Sequence, residues 1–170
     1  MTGVQTCALP IYCGVEMFRS SIKTPVGYWV IEGNNEFVSR IDLQDAKSTS
    51  SGRTPKAVAT CVDQMREYFS GTRKKFTVAL EDYDVTSFQQ DVWDALCTIP
   101  YGKVWTYGDV ARAIKRPRAM RAVGNANNTN PWPVIVPCHR VVASNHIGGY
   151  GSGGERVKRF LLEIEGLDYN

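Results

Sequence analysis

The sequence predicts an α+β fold in two parts. A small N-terminal unit carries a short antiparallel sheet and a helix, and a mostly helical C-terminal unit follows. Three observations lead there. Short runs rich in β-branched and aromatic residues, broken by turn residues, fill 17–43. From Pro55 onward, apolar residues recur at helical spacing between start and stop signals. In the second half, two short helices joined by a tight turn carry clustered arginines and asparagines, the pattern of a helix-turn-helix. We divide the chain into a leader at 1–16, a support domain at 17–85 and a C-terminal domain at 86–170.

The leader, MTGVQTCALPIYCGVE, matches nothing after it and resembles a translated cloning scar, so it carries no weight in the fold. Phe18–Ile22 reads as a strand, Thr24-Pro25-Val26-Gly27 as a turn, Tyr28–Ile31 as a second strand and Phe37–Ile41 as a third. A Ser/Thr/Gly loop at 48–54 precedes a helix from Pro55 to Ser70, closed by Gly71, whose stripe is Val58, Cys61, Val62, Met65 and Phe69. Phe76–Leu80 reads as one more short extended segment. Thr86 and Gln89 form a capping-box pattern ahead of the stripe Phe88, Val92, Trp93 and Leu96. Residues 99–104 connect to a helix capped by Thr106 and running to Ile114. Pro117 is then expected at the first position of a third helix reaching Asn128. A glycine-rich loop at 148–154 precedes a last helix, Glu155–Glu165, ended by Gly166.

No apolar run approaches the roughly 20 residues of a membrane span, and the first residues lack the basic start of a secretory signal. The five cysteines (7, 13, 61, 97, 138) are scattered with no C-x-x-C pair, which argues for free thiols in a reducing compartment. With only His139 and His146 to join them, no metal site is expected. Residues 86–170 hold ten basic and seven acidic side chains, against ten of each in 1–85. No acid stands between Asp109 and Glu155, while Arg112, Lys115, Arg116, Arg118, Arg121 and Arg140 do, the footprint of a phosphate-backbone binder.

The chemistry concentrates in Val134–Ala143, VIVPCHRVVA. A lone cysteine is more often a structural thiol than a nucleophile. Here Pro137 stiffens the approach to Cys138 and His139 follows at once, which is what a thiol needs to ionise near neutral pH. On an extended segment neighbouring side chains point opposite ways, so His139 is expected to act through a bridging water. Glu165, near the end of the last helix, is the carboxylate placed to orient the imidazole. Cys61 and Cys97 fall in apolar helical stripes and read as core residues. Trp132, between two prolines, is expected against the floor of the site.

Asn130-Pro131, Pro137-Cys138-His139-Arg140-Val141, Gly149-Tyr150 and Leu161-Leu162-Glu163-Ile164-Glu165-Gly166 resemble the active-site half of the 6-O-alkylguanine-DNA alkyltransferases. Tyr101-Gly102-Lys103-Val104, Thr106-Tyr107 and Arg121-Ala122-Val123-Gly124 fit the same family in the same order. The resemblance is specific over 86–166 and weaker over 17–80, where the Thr-Pro-Val-Gly turn also fits. It implies a ribonuclease H-like first domain and a winged helix-turn-helix second domain.

It implies further that Cys138 accepts an alkyl group from the 6-oxygen of guanine, with the 4-oxygen of thymine a second substrate. His139 would serve as base, Glu165 would hold it, and Asn130 would brace the turn. Tyr107 would crowd the flipped nucleotide's phosphate and protonate the leaving guanine. Arg121 would fill the gap in the stack, on a DNA face formed with Ala122, Thr106, Arg118, Ala126 and Arg140. Pro133, Val141, Gly149, Tyr150 and Ser152 would line the base pocket. Some members bind zinc in the first domain through Cys and His; with no histidine there, none is expected here. The implied partner is double-stranded DNA with an alkylated guanine, with no cofactor and no membrane. The protein would be a monomer whose copies can line up on DNA, in the cytoplasm at the nucleoid of a prokaryote or in a eukaryotic nucleus.

The residues themselves support that chemistry. Alkyl transfer from an aryl ether needs a soft nucleophile and a protonated leaving group. A target inside the duplex must be flipped out, at a cost of a few kcal/mol. The small residues Ala119, Ala122, Gly124 and Ala126 suit close approach in the minor groove. A thioether is stable, so each molecule would act once. Three competitors remain: a damage sensor without a nucleophile, a winged-helix transcription factor, and a cysteine hydrolase with turnover.

Overall fold

The computed structural model describes residues 17–169. The leader at 1–16, with Cys7 and Cys13, lies outside the described residues.

Strands β1 (Phe18–Thr24), β2 (Gly27–Gly33) and β3 (Val38–Gln44) form an antiparallel meander in the order β1-β2-β3. The β1–β2 turn needs Gly27, whose φ of 140° other residues rarely adopt. Helix α1 (Lys56–Phe69) lays Val58, Cys61, Val62 and Met65 on the sheet face of Trp29, Ile31, Val38 and Ile41. Burying each such aliphatic side chain contributes about 1.5–3 kcal/mol. Pro55 is the residue before the helix, and the Asn35 side chain accepts from the Lys56 N–H at 3.0 Å in place of a local cap.

Phe76–Leu80 forms no strand; only Leu80 bridges Val38, with the Val38 N–H bound to Ala79 O at 2.9 Å. This segment hugs the edge of β3 and leads into the second half.

There, α2 (Ser87–Thr98) opens with the expected Thr86/Gln89 capping box. The connector ends in β4 (Trp105–Thr106), and α3 (Tyr107–Ala113) starts on a second box, Thr106 with Asp109. Helix α4 (Met120–Asn128) begins three residues later than expected. The Ala119 N–H bonds back to Arg116 O at 2.9 Å, so Pro117 is the second residue of a β-turn, a position its fixed φ suits equally well. Cys138–Arg140 forms one 3-10 turn rather than an extended segment, followed by β5 (Val141–Val142), which pairs in parallel with β4. Helix α5 (Gly154–Ile164) closes the unit, with Gly166 at φ 81° just beyond.

The halves are joined by hydrogen bonds as well as by core packing. Ile41 N–H donates to Pro131 O at 2.9 Å and the Trp132 indole to Val38 O at 3.0 Å. Trp132 also packs against Tyr83 and Trp93, so it ties the halves together. No described helix is long and apolar enough to cross a membrane.

Candidate active site

Three elements meet around Cys138. The loop from α4 turns sharply at 130–137, the 3-10 turn presents Cys138 and His139, and the end of α5 supplies Glu165. Asn130 holds the turn together. Its amide N–H donates to Val136 O at 2.8 Å and to Cys138 Sγ at 3.1 Å, and its carbonyl oxygen accepts from Trp132 N–H at 2.9 Å. The turn is strained as well. Val134 stands at φ 79°, which for a β-branched residue costs on the order of 1–3 kcal/mol and is tolerated only where surrounding contacts enforce it.

Cys138 is 3% exposed. Burial pushes its thiol above the ordinary value, while Asn130, Tyr150 and Lys158 pull it back. The resting group is a protonated thiol with polar partners ready for the anion. Tyr150 OH lies 4.0 Å from Sγ, and Ser152 hydrogen-bonds Tyr150 in turn. Half-buried Tyr107 lies between α4 and the 148–150 loop. A Cβ on Gly124 would come within 3.8 Å of its ring, and one on Gly148 within 3.6 Å. Burial raises the Tyr107 hydroxyl, as does a Cys138 anion, so it is a proton donor at neutral pH.

Behind the cysteine lies a sealed polar cluster. His139 Nε2 is 2.7 Å from Glu165 Oε1, with both side chains fully buried. Glu165 also accepts from Tyr68 OH at 2.8 Å, from Gly102 N–H at 2.9 Å and from the Arg140 guanidinium at 2.9–3.1 Å. Burial pushes the Glu165 carboxyl up, but the hydrogen bonds and charges of His139 and Arg140 together outweigh it and hold the group at about 2. Burial keeps His139 below its ordinary value despite Glu165, so the imidazole is neutral. With Nε2–H directed at the carboxylate, Nδ1 keeps its lone pair, and it has no partner among the described residues. A buried polar atom without a partner calls for an explanation, and this one keeps a lone pair able to accept a proton.

Two residues expected on the DNA face lie elsewhere. Arg140 is buried, held bidentately by Glu165 and donating to Ile99 O at 2.7 Å; its charge is consumed inside the protein. Ala126 is buried against α2, its carbonyl accepting the Trp93 indole N–H at 2.9 Å. Gly124 serves Tyr107 rather than an open surface. Cys97, expected in the core, is exposed, because α2 buries the face of Val92, Trp93 and Leu96. By contrast Arg118, Arg121 and Ala122 are exposed on and before α4, and Thr106 is half-buried as the cap of α3. Arg121 and Tyr107 share a cleft of about 380 Å³ with Gly108, Met120 and Ala143–Asn145. Arg112 and Arg116 are ion-paired with Asp109 and Asp91, which trims the basic face to Lys115, Arg118 and Arg121. Of the remaining pocket expectations, Pro133, Val141 and Tyr150 are buried, Ser152 is intermediate and Gly149 exposed.

Tyr68, Asn127 and Lys158 were missed by the sequence reading. Asn127 donates to Cys138 O at 3.4 Å and Lys158 to Gly149 O at 3.1 Å. A lysine in the apolar register of α5, between Val157 and Leu161, was the one visible signal.

Two family models match the chain. The ribonuclease-like domain of 6-O-methylguanine DNA methyltransferase covers residues 17–81, and the DNA binding domain of the same family covers 87–167. The chain is 38% identical to the constitutive methylated-DNA--protein-cysteine methyltransferase of Bacillus subtilis (strain 168), over 89% of this chain and 97% of that protein. A methylated-DNA--protein-cysteine methyltransferase of Methanosarcina barkeri is 39% identical, over 88% and 97%. Among solved structures, the Mycobacterium tuberculosis OGT in complex with DNA superposes with a TM-score of 0.76 at 40% identity, over 87% of this chain and 92% of that one.

Proposed function

Because this chain belongs to the 6-O-methylguanine DNA methyltransferase family, DNA-repair proteins that move a methyl group from methylated DNA to a protein cysteine, we propose that Cys138 is the accepting cysteine. The observation that carries this is the buried thiol beside a neutral imidazole whose partner atom, Nε2, is committed to Glu165 while Nδ1 stays free.

The reaction follows from the groups. A water relays the thiol proton to His139 Nδ1, and Glu165 stabilises the imidazolium that forms. Asn130 N–H and the Tyr150 hydroxyl face the resulting thiolate. The thiolate displaces the alkyl carbon in line: the C–S bond forms, the C–O bond breaks, and the electron pair goes to the guanine. Tyr107 gives its proton to that guanine, and the imidazolium later returns a proton to the phenolate through solvent. The base must first leave the stack, at a cost of a few kcal/mol, and exposed Arg121 fills the gap from the minor-groove side. The substrate is guanine alkylated at its 6-oxygen in double-stranded DNA, with thymine alkylated at its 4-oxygen as a second substrate. Pro133, Val141, Gly149, Tyr150 and Ser152 surround the base. Residues 17–85 act as the support domain and 86–170 as the reacting, DNA-binding one. The protein works as a monomer wherever the cell keeps its DNA, the nucleoid or the nucleus.

Loss of 6-O-methylguanine from a duplex carrying one such base, followed chromatographically at several protein-to-DNA ratios, tests the reading. Repair should stop at one base per protein molecule. Continued turnover would mean a hydrolase, and tight binding without loss would mean a sensor.

A further inference from the structure

Lys158 lies on α5 with none of its surface exposed, which lysine almost never does without a counter-charge. Among the described residues no carboxylate stands within ion-pair distance of it. It donates to a neutral acceptor, Gly149 O at 3.1 Å, although an ammonium has three N–H groups to satisfy. The surroundings make room for it: a Cβ on Gly148 would lie 3.5 Å from Nζ and 3.6 Å from the Tyr107 ring, and glycine there lets both close in. A buried cation with no anion is costly unless an anion arrives during function. Cys138, across the site, is the group that becomes one.

We propose that Lys158 is a positioning residue for the transfer reaction, fastening the Gly148–Tyr150 backbone to α5 and presenting the positive charge that stabilises Cys138 as a thiolate. The proposal rests on Cys138 being the acceptor. Its electrostatics agree. Burial lowers the Lys158 ammonium to about 8, while Cys138 and Glu155 raise it, and Lys158 in turn lowers Cys138. The titratable groups around it are Cys138 and His139 on the 3-10 turn, Glu155 one helical turn earlier on α5, and Tyr107 on α3. Lys158 also opposes protonation of His139, which helps the imidazolium give its proton back. Once Cys138 becomes a neutral thioether, Lys158 again lacks a counter-charge.

The test is the rate of Cys138 alkylation by iodoacetamide at pH 7, where the ammonium is charged, read by mass at the Cys138 peptide in the full chain. Lys158→Met should slow labelling roughly tenfold, the loss of about one pH unit of thiolate stabilisation, and Lys158→Arg should restore most of it. An unchanged rate in folded Lys158→Met, whatever its melting temperature, overturns the charge role. Should that variant fail to fold, Lys158→Gln decides by the same rate at pH 7. An unchanged rate in folded Lys158→Gln overturns the proposal. These readouts use no DNA, so they stand apart from repair of methylated duplex, whose failure would overturn the assignment of Cys138 instead.

Discussion

Two buried cysteines, one in each half of the chain, sit in opposite surroundings. Cys61, on α1, faces the sheet amid aliphatic and aromatic side chains, and burial alone pushes its thiol to about 12. Cys138 is equally hidden from water, yet an amide, a phenol and an ammonium answer its burial, with a free imidazole nitrogen next door. Burial makes a thiol inert; burial with polar partners that suit only the anion makes one that ionises when a base takes its proton.

The comparison can be broken in several ways. The largest effect is Cys138→Ser, expected to abolish methyl uptake from damaged duplex while leaving the melting temperature within a few degrees. Uptake by the folded variant would place the chemistry elsewhere. Next, Glu165→Ala strands the Arg140 guanidinium in the interior and should cost about 3–5 kcal/mol in denaturant unfolding, whereas Glu165→Gln should keep more stability and slow single-turnover repair by about a hundredfold. Tyr107→Phe keeps the packing and removes the proton donor, so repair should slow by about a hundredfold, with little change in affinity for undamaged DNA. Cys61→Ala is the smallest. It should cost about 1–2 kcal/mol as a core truncation and leave uptake unchanged; slowed uptake at full occupancy of the folded state would erase the contrast.

Acid sharpens the contrast further, since the polar cluster titrates and the α1 core does not. His139 is held below its ordinary 6.5 when folded, so the unfolded chain binds the extra proton first and stability falls as pH drops below that value. Glu165, at about 2 when folded against 4.5 ordinarily, adds a second loss in the same direction between those values. Melting temperatures measured from pH 7 to pH 3 should therefore decline throughout. A flat profile would mean the cluster is not charged as described.

Much of this was legible in the sequence, for identifiable reasons. The three strands, the Thr86/Gln89 capping box, the Thr106 cap and the boundaries of α1 and α5 follow from local turn and cap chemistry, which short stretches of chain specify. The Cys138, His139 and Glu165 grouping was legible through ordered motifs. What stayed hidden depended on tertiary partners. Tyr68 reaches Glu165 from 97 positions away, and nothing in α1 marks it. Arg140 looked like a DNA contact because charge in a sequence does not reveal whether an acid will meet it inside. Pro117 favours both a helix start and a turn, and only the Arg116–Ala119 hydrogen bond decides. The β4–β5 pair is too short to leave any periodicity.

The most direct measurement is peptide mass mapping of the whole chain after reaction with an equimolar duplex carrying one 6-O-methylguanine. The account predicts a single methyl, on the peptide containing Cys138 and absent from that containing Cys61. A methyl on any other residue, or on none while the lesion disappears, would contradict it.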